Sequence, residues 1–216
     1  MVEFQEIRQL FDTYDDSFGF SEEEIINCEK DLGQRLPEVL RQYYLQLGNN
    51  EQINQTQDSL VLPKDLKLDA ANFVTFYYEN QSVWKAGIKL SDFSLEDPPV
   101  YILFENPDWK LENEKLSDFL TAIAFLQSLF ALDFTANCID IGKDKENFIH
   151  QNWKKLKIKT SLWGIFFFQN SPDEVIALMI NGNQTDLFIS AKTEEQFVEI
   201  NNQFNIDWDY NSLEDE

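Results

Sequence analysis

Histidine occurs once in this chain, at His150. A nucleophile–histidine–acid triad would have to be built on that residue, yet the run Phe148-Ile149-His150-Gln151-Asn152-Trp153 carries no nucleophile motif. Histidine-based metal sites of the usual kind need more histidine or clustered cysteine. Cysteine is nearly as scarce: Cys28 and Cys138 form no C-x-x-C pair and no metal-ligand spacing. Two isolated thiols behind an N-terminus with no apolar secretory segment fit a reducing, cytoplasmic compartment and the role of small buried hydrophobes; one disulfide is the alternative. Seven glycines and six prolines leave few interruptions, so regular elements should fill most of the chain. Gly164 and Gly182 stand alone and make no phosphate-cradling loop. The longest apolar run, Phe119 to Phe134, contains Thr121, Gln127, Ser128 and Asp133. It falls short of the ~20 residues of a membrane span and reads as a buried helix.

Basic residues are the other shortage. Lys and Arg total 17 against 39 Asp and Glu, for a formal net charge of −22. Nucleic acid and anionic membranes would be repelled by such a surface, whereas a basic protein would be drawn to it; solubility alone is the plainer explanation of an acidic chain. The one basic cluster, Lys154, Lys155, Lys157 and Lys159, alternates with Leu156 and Ile158. That pattern suits the solvent side of a protected edge strand better than a nucleic-acid patch. Asp140, Asp144 and Glu146 resemble part of a calcium loop, but the central glycine is missing and Gln151 stands where the closing acid belongs. No cofactor or metal is implied. Close acid pairs, Glu96-Asp97 and Glu105 with Asp108, are expected by chance among 39 carboxylates.

What is present is apolar and aromatic: 43% hydrophobic residues with 19 phenylalanines, too many for a disordered chain and enough for one core over residues 1–216. Ser21 with Glu24 forms a capping box, and Phe20 with Ile25 has staple spacing; Gly33 ends the helix. Pro37 opens a second helix with Leu40, Tyr43, Tyr44 and Leu47 on one face, stopped at Gly48. The period then changes. Ser59 to Leu62 and Phe73 to Tyr78 read as strands, the latter joined through Glu79–Ser82 to Val83–Ile88 as a hairpin. Strict alternation puts Tyr77 with Phe73 and Thr75, and Tyr78 with Val74 and Phe76. Val100–Phe104 is a further strand. Ser117 is the expected cap of the apolar helix. Strands follow at Leu156–Lys159, Leu162–Phe168, Glu174–Ile180 and Asp186–Ser190, with a turn at Asn181-Gly182-Asn183. Thr193 caps a last helix, and the acidic end, 212–216, should fray. Runs of strands and helices without βαβ alternation predict an α+β fold: a mixed, largely antiparallel sheet flanked by helices behind an N-terminal helical hairpin.

Several of these pieces form one pattern. Glu29, Leu32-Gly33, Leu36-Pro37, Leu40, Tyr43-Tyr44 and Gly48-Asn49 are followed by Phe76-Tyr77-Tyr78-Glu79-Asn80-Gln81-Ser82-Val83-Trp84, Gly87-Ile88, Asp97-Pro98-Pro99-Val100 and Leu116-Ser117-Asp118-Phe119-Leu120. This resembles the Smi/Knr-type family of the SUKH superfamily, over about residues 18–130. The resemblance implies an α+β fold and no catalytic residues. Many bacterial members of that family are immunity-like and neutralise a cognate toxin, often a nuclease or deaminase; fungal relatives are linked to glucan synthesis and signalling. Leu32, Gly33, Leu36, Pro37, Tyr44, Gly48, Glu79, Asn80 and Gln81 are expected to serve structure.

The expectation is therefore a non-enzymatic domain that binds a basic toxin domain. Its candidate contacts are the anchors Tyr78 and Trp84 and the acids Glu96, Asp97, Glu105 and Asp108. A regulator of envelope synthesis is the second reading, and a carboxylate-dependent hydrolase the third.

Overall fold

The computed structural model describes residues 3–15, 17–105, 108–158, 160 and 164–214. Where the sequence predicts one domain over residues 1–216, the chain groups into two compact units, Met1–Gln127 and Ser128–Glu216. The fold is α+β. Among the described residues it holds seven α-helices and two five-stranded sheets, each wholly antiparallel. No described helix is long and apolar enough to cross a membrane.

The first unit begins with α1 (Gln5–Phe11), α2 (Glu22–Leu32), α3 (Glu38–Leu47) and the single turn α4 (Glu51–Asn54). The start of α2 is set by its sequence: the Ser21 hydroxyl accepts the Glu24 N–H, and the Glu24 carboxylate accepts the Ser21 N–H at 2.8 Å. Those bonds satisfy donors that a helix start leaves open and hold the Glu24 carboxyl below its usual range. Gly33 ends the helix at φ 66°, a conformation that costs glycine little. Pro37 stands one position earlier than expected, as the N-cap of α3. The apolar stripe of α3 is buried from Val39 to Leu47, and the Tyr44 hydroxyl donates to the Val61 carbonyl at 2.6 Å.

Strands β1 (Ser59–Leu60), β2 (Phe73–Tyr78), β3 (Lys85–Lys89), β4 (Val100–Leu103) and β5 (Lys110–Asn113) form sheet 1 in that order. Helix α5 (Leu116–Ala131) follows and runs through the division between the units. It begins one residue before Ser117, which is not its cap. Instead Asp97 accepts both the Ser117 N–H at 2.9 Å and its hydroxyl at 2.6 Å. The α5 side chain of Gln127 is fully buried and fully used. Its oxygen accepts the Gln57 N–H at 2.7 Å, and its nitrogen donates to the Asp58 carbonyl at 2.7 Å and the Tyr77 oxygen at 2.9 Å. A polar group can sit in an apolar helix at little cost when it is satisfied in this way.

In the second unit, β6 (Phe134–Cys138), α6 (Gly142–Asn152), β7 (Ile165–Phe168), β8 (Glu174–Asn181), β9 (Gln184–Ala191), α7 (Glu194–Asn201) and β10 (Tyr210–Asn211) build sheet 2 in the order β10-β6-β9-β8-β7. A two-residue turn at Gly182-Asn183 joins β8 to β9, and Thr193 caps α7 as expected. Of the acids that resemble a calcium loop, Asp140 precedes helix α6 while Asp144 and Glu146 lie within it, and Glu146 pairs with Lys143. Lys154–Leu156 forms no full strand. It runs along the edge strand β7 through a Lys155–Phe168 bridge and a Leu156 N–H bond to the Phe167 carbonyl at 2.8 Å. Lys155 also lies 3.6 Å above the Phe166 ring. Lys159 and Leu162, in the strands expected there, fall outside the described residues. The acidic end is anchored rather than frayed at its start. The Ser212 N–H reaches the Thr135 carbonyl at 2.9 Å, and the Glu214 N–H the Asn211 carbonyl; Asp215 and Glu216 lie outside the described residues.

Candidate functional site: the outer face of sheet 1

The site rests on an irregularity in β2. Thr75 pairs with Gly87 but Tyr77 pairs with Ala86, so Phe76 is an extra residue, a β-bulge. The bulge breaks the alternation. Phe76 and Tyr77 are both buried, and both rings meet Phe119 of α5 edge-on, at 5.6 and 6.0 Å between centroids. Tyr78 is thereby turned to the opposite face, where it stands across from Lys85. Strict alternation had grouped these tyrosines the other way round, and the extra residue is the reason.

The remaining registers define that outer face. Lys85 opposes Leu103, Gly87 opposes Tyr101, and Tyr101 opposes Leu111, while Phe73 opposes Lys89. Directly opposed residues share a face. Trp109, just ahead of β5, folds back over this surface. Its ring stacks on Phe73 at 4.4 Å and 11°, and Lys85 Nζ lies 5.4 Å from its centroid. Gly87 makes the overlay possible, because a Cβ there would stand 2.8 Å from Trp109 Cη2. Tyr78 is 41% and Leu111 51% exposed, so the face reaches water at both ends. Its surroundings carry acids. Burial raises the Tyr101 phenol and Asp92 adds to the rise, and Glu105 and Asp108 are exposed on either side of the β4–β5 turn; Asn106 and Pro107 lie outside the described residues.

The turn carrying Tyr78 into β3 is built by Glu79. Its carboxylate accepts the Gln81 N–H at 3.0 Å and the Val83 N–H at 2.9 Å, and its own N–H bonds the Trp84 carbonyl. Of the three residues expected to serve structure here, Glu79 does so through its carboxylate, while Asn80 and Gln81 supply backbone N–H groups. Asn80 gives its N–H to Asp58 Oδ1 at 3.2 Å. Asp58 is 2% exposed, and its second oxygen has no hydrogen-bond partner. Burial pushes its carboxyl up to about 6, with Glu79 adding to the rise and the Asn80 bond opposing it.

The other sequence candidates fall elsewhere. Trp84 is not a surface anchor: it is 2% exposed and stacks on Tyr77 in the core. Asp97 is committed to the start of α5. Glu96 has an exposed side chain, but its carbonyl accepts the Val39 N–H at 3.0 Å, which ties it to the start of α3. Of the six candidates, Tyr78 is on the outer face, and Glu105 and Asp108 border it. The motif residues Leu36, Pro37, Tyr44 and Gly48 are buried, and Leu32 is half-buried. The sequence search missed Tyr101, Leu103, Trp109 and Leu111. A glycine inside a strand, Gly87, was the available signal that a bulky group lies against the backbone.

Chemically reactive groups are placed otherwise. His150 is exposed, with its ring edge-on to Phe168 at 5.0 Å. Cys28 and Cys138 carry free thiols. Burial raises Cys28 to about 11; burial and the surrounding aspartates raise Cys138, which keeps it in the unreactive thiol form. Among the described residues no group of three or more His, Cys, Asp or Glu side chains is arranged to hold a metal ion. Comparisons with family models, with characterised proteins and with solved structures find no match.

Proposed function

We propose that this chain acts by binding, as a non-enzymatic cytoplasmic protein of the immunity type. Its partner in this reading is a basic toxin domain of nuclease or deaminase character, seated on the outer face of sheet 1. The observation that carries the reading is the face itself. Tyr78, Tyr101, Leu103, Trp109 and Leu111 form one aromatic and aliphatic surface, bordered by the exposed acids Glu105 and Asp108. Anchors of this type with a charged rim are the usual anatomy of a binding hot spot. The net charge of −22 supplies attraction toward a basic partner and repulsion from nucleic acid. The resemblance of residues 18–130 to the Smi/Knr-type pattern supports the same class by analogy.

The test is affinity capture from the native host, eluted on a salt gradient and read by mass spectrometry. A basic toxin domain released at high salt is expected. Tyr78→Ala with Leu111→Ala should weaken its binding by more than about tenfold, and Glu105→Lys with Asp108→Lys should slow association and flatten its salt dependence. Capture of envelope-synthesis or signalling proteins alone would replace the toxin reading with a regulatory one. Full affinity in the Tyr78/Leu111 variant would remove the face from either.

A further inference from the structure

A second surface of the first unit has a different chemistry. Helix α1 buries Ile7, Leu10 and Phe11 and turns Gln5 and Gln9 outward, one helical turn apart. Helix α3 buries Val39, Leu40, Tyr43, Tyr44 and Leu47 and leaves Gln42 and Gln46 on its other side, again one turn apart. These two pairs of amides line an open groove of about 540 Å³, within the size range of small-ligand sites. Arg8 fixes its geometry. One guanidinium nitrogen donates to the Thr13 and Asp15 carbonyls at 2.7 and 3.0 Å, and the other to Gln46 Oε1 at 3.0 Å. Gln46 then donates to Gln42 at 3.2 Å, and Gln42 to Glu38 at 2.8 Å. The chain from Arg8 to Glu38 orients the α3 amides. The bonds to Thr13 and Asp15 hold the loop that carries Tyr14 beside the groove.

Two features set the class of ligand. Among its described lining residues the groove has one acid, Glu3, and one base, Arg8, in a chain of net charge −22, and the Arg8 guanidinium is committed to internal bonds. Amides offer donors and acceptors side by side, which matches hydroxyl groups that are also both. Tyr14 overhangs the groove at 69% exposure, the highest of any large apolar side chain among the described residues. An exposed ring beside hydrogen-bonding groups presents an apolar platform with a polar edge. A peptide would need apolar pockets for its side chains, and among the described lining residues Leu45 alone is aliphatic.

We propose that this groove binds a short neutral oligosaccharide. The Tyr14 ring stacks on the C–H face of one sugar, and the Gln5, Gln9, Gln42 and Gln46 amides pair with its hydroxyls. The site shares no residue with the outer face of sheet 1, so it stands or falls independently of the partner reading. The test is saturation-transfer difference NMR on the intact chain with cellotriose, maltotriose and triacetylchitotriose in turn. At least one should receive saturation at its ring C–H protons, with a Kd on the order of 1 mM. Tyr14→Ala and Gln42→Ala should each weaken it by about tenfold, with unchanged unfolding midpoints, and Leu111→Ala should leave it intact. Absence of transfer to all three sugars would overturn the proposal. So would transfer that survives both groove substitutions, or displacement of the sugar by a neutral peptide of polar composition.

Discussion

The two sheets have the same number of strands and the same antiparallel pairing, yet they treat their faces differently. Sheet 2 buries the centre of both faces and leaves Met179, Asp186 and Phe188 half-buried. Ile176, Leu178, Leu187 and Ile189 lie in one core with Phe168 and Phe197, while Val175, Ala177, Phe167 and Ser190, of opposite alternation, are equally inaccessible. Sheet 1 buries Val74, Phe76, Tyr77, Ala86, Ile88 and Ile102 on its inner side and leaves Tyr78 and Leu111 on its outer side in water. A doubly buried sheet spends both sets of side chains on stability. A singly buried one can present a set to a partner, and an exposed apolar set of this kind marks an interaction surface. The contrast is what directs the functional reading to the first unit.

Four substitutions would break or sharpen that contrast. Ala177→Asp in β8 puts an unpaired carboxylate at a site of 0% exposure, and should cost about 4–5 kcal/mol or more, seen as a lost or much lower urea midpoint. Phe119→Ala removes the ring shared by Phe76 and Tyr77 on the inner side of sheet 1 and should cost about 3–4 kcal/mol in the same measurement.

Asp58→Asn acts in the opposite direction. The Asp58 carboxyl is raised to about 6 in the folded chain from an ordinary 3.8. Between those values the folded state holds more protons than the unfolded one, so this group's contribution to stability falls as pH rises toward 6 and stays unfavourable above it. Replacement by the neutral amide should add roughly 1–2 kcal/mol at pH 7 and flatten the rise in stability otherwise seen from pH 7 to 5. Denaturation of both proteins across that range reads the difference. The smallest effect belongs to the outer face: Leu111→Asp should change stability by less than about 1 kcal/mol. A large loss there would mean the outer face is as structural as sheet 2.

Much of the local structure was legible. The box at Ser21 and Glu24, the stop at Gly33, the stripe of α3 and the turn at Gly182 follow from bonding that spans a few residues, and each stands where the sequence puts it. So does β2, to the residue. The missed elements lack such signals. Helix α1 has no capping side chain. Helix α6 has no side-chain cap either, and its acids invite comparison with a metal loop. Strands β5, β6 and β10 are short, and their alternation is weak.

The candidate site was legible in part only. Tyr78, Glu105 and Asp108 belong to it or border it, but Trp84 was assigned by residue type to a surface when its neighbours in space bury it. Asp97 was counted as a free acid when its partner, Ser117, lies 20 residues away.

The sequence by itself determined the elements whose bonds are local, the apolar character of α5 and the acidity of the surface. Only the tertiary structure decided which aromatics meet water. One extra residue in β2 exchanges the faces of Tyr77 and Tyr78, and no pattern within that strand reveals it, because a bulge exists only relative to the strand it pairs with.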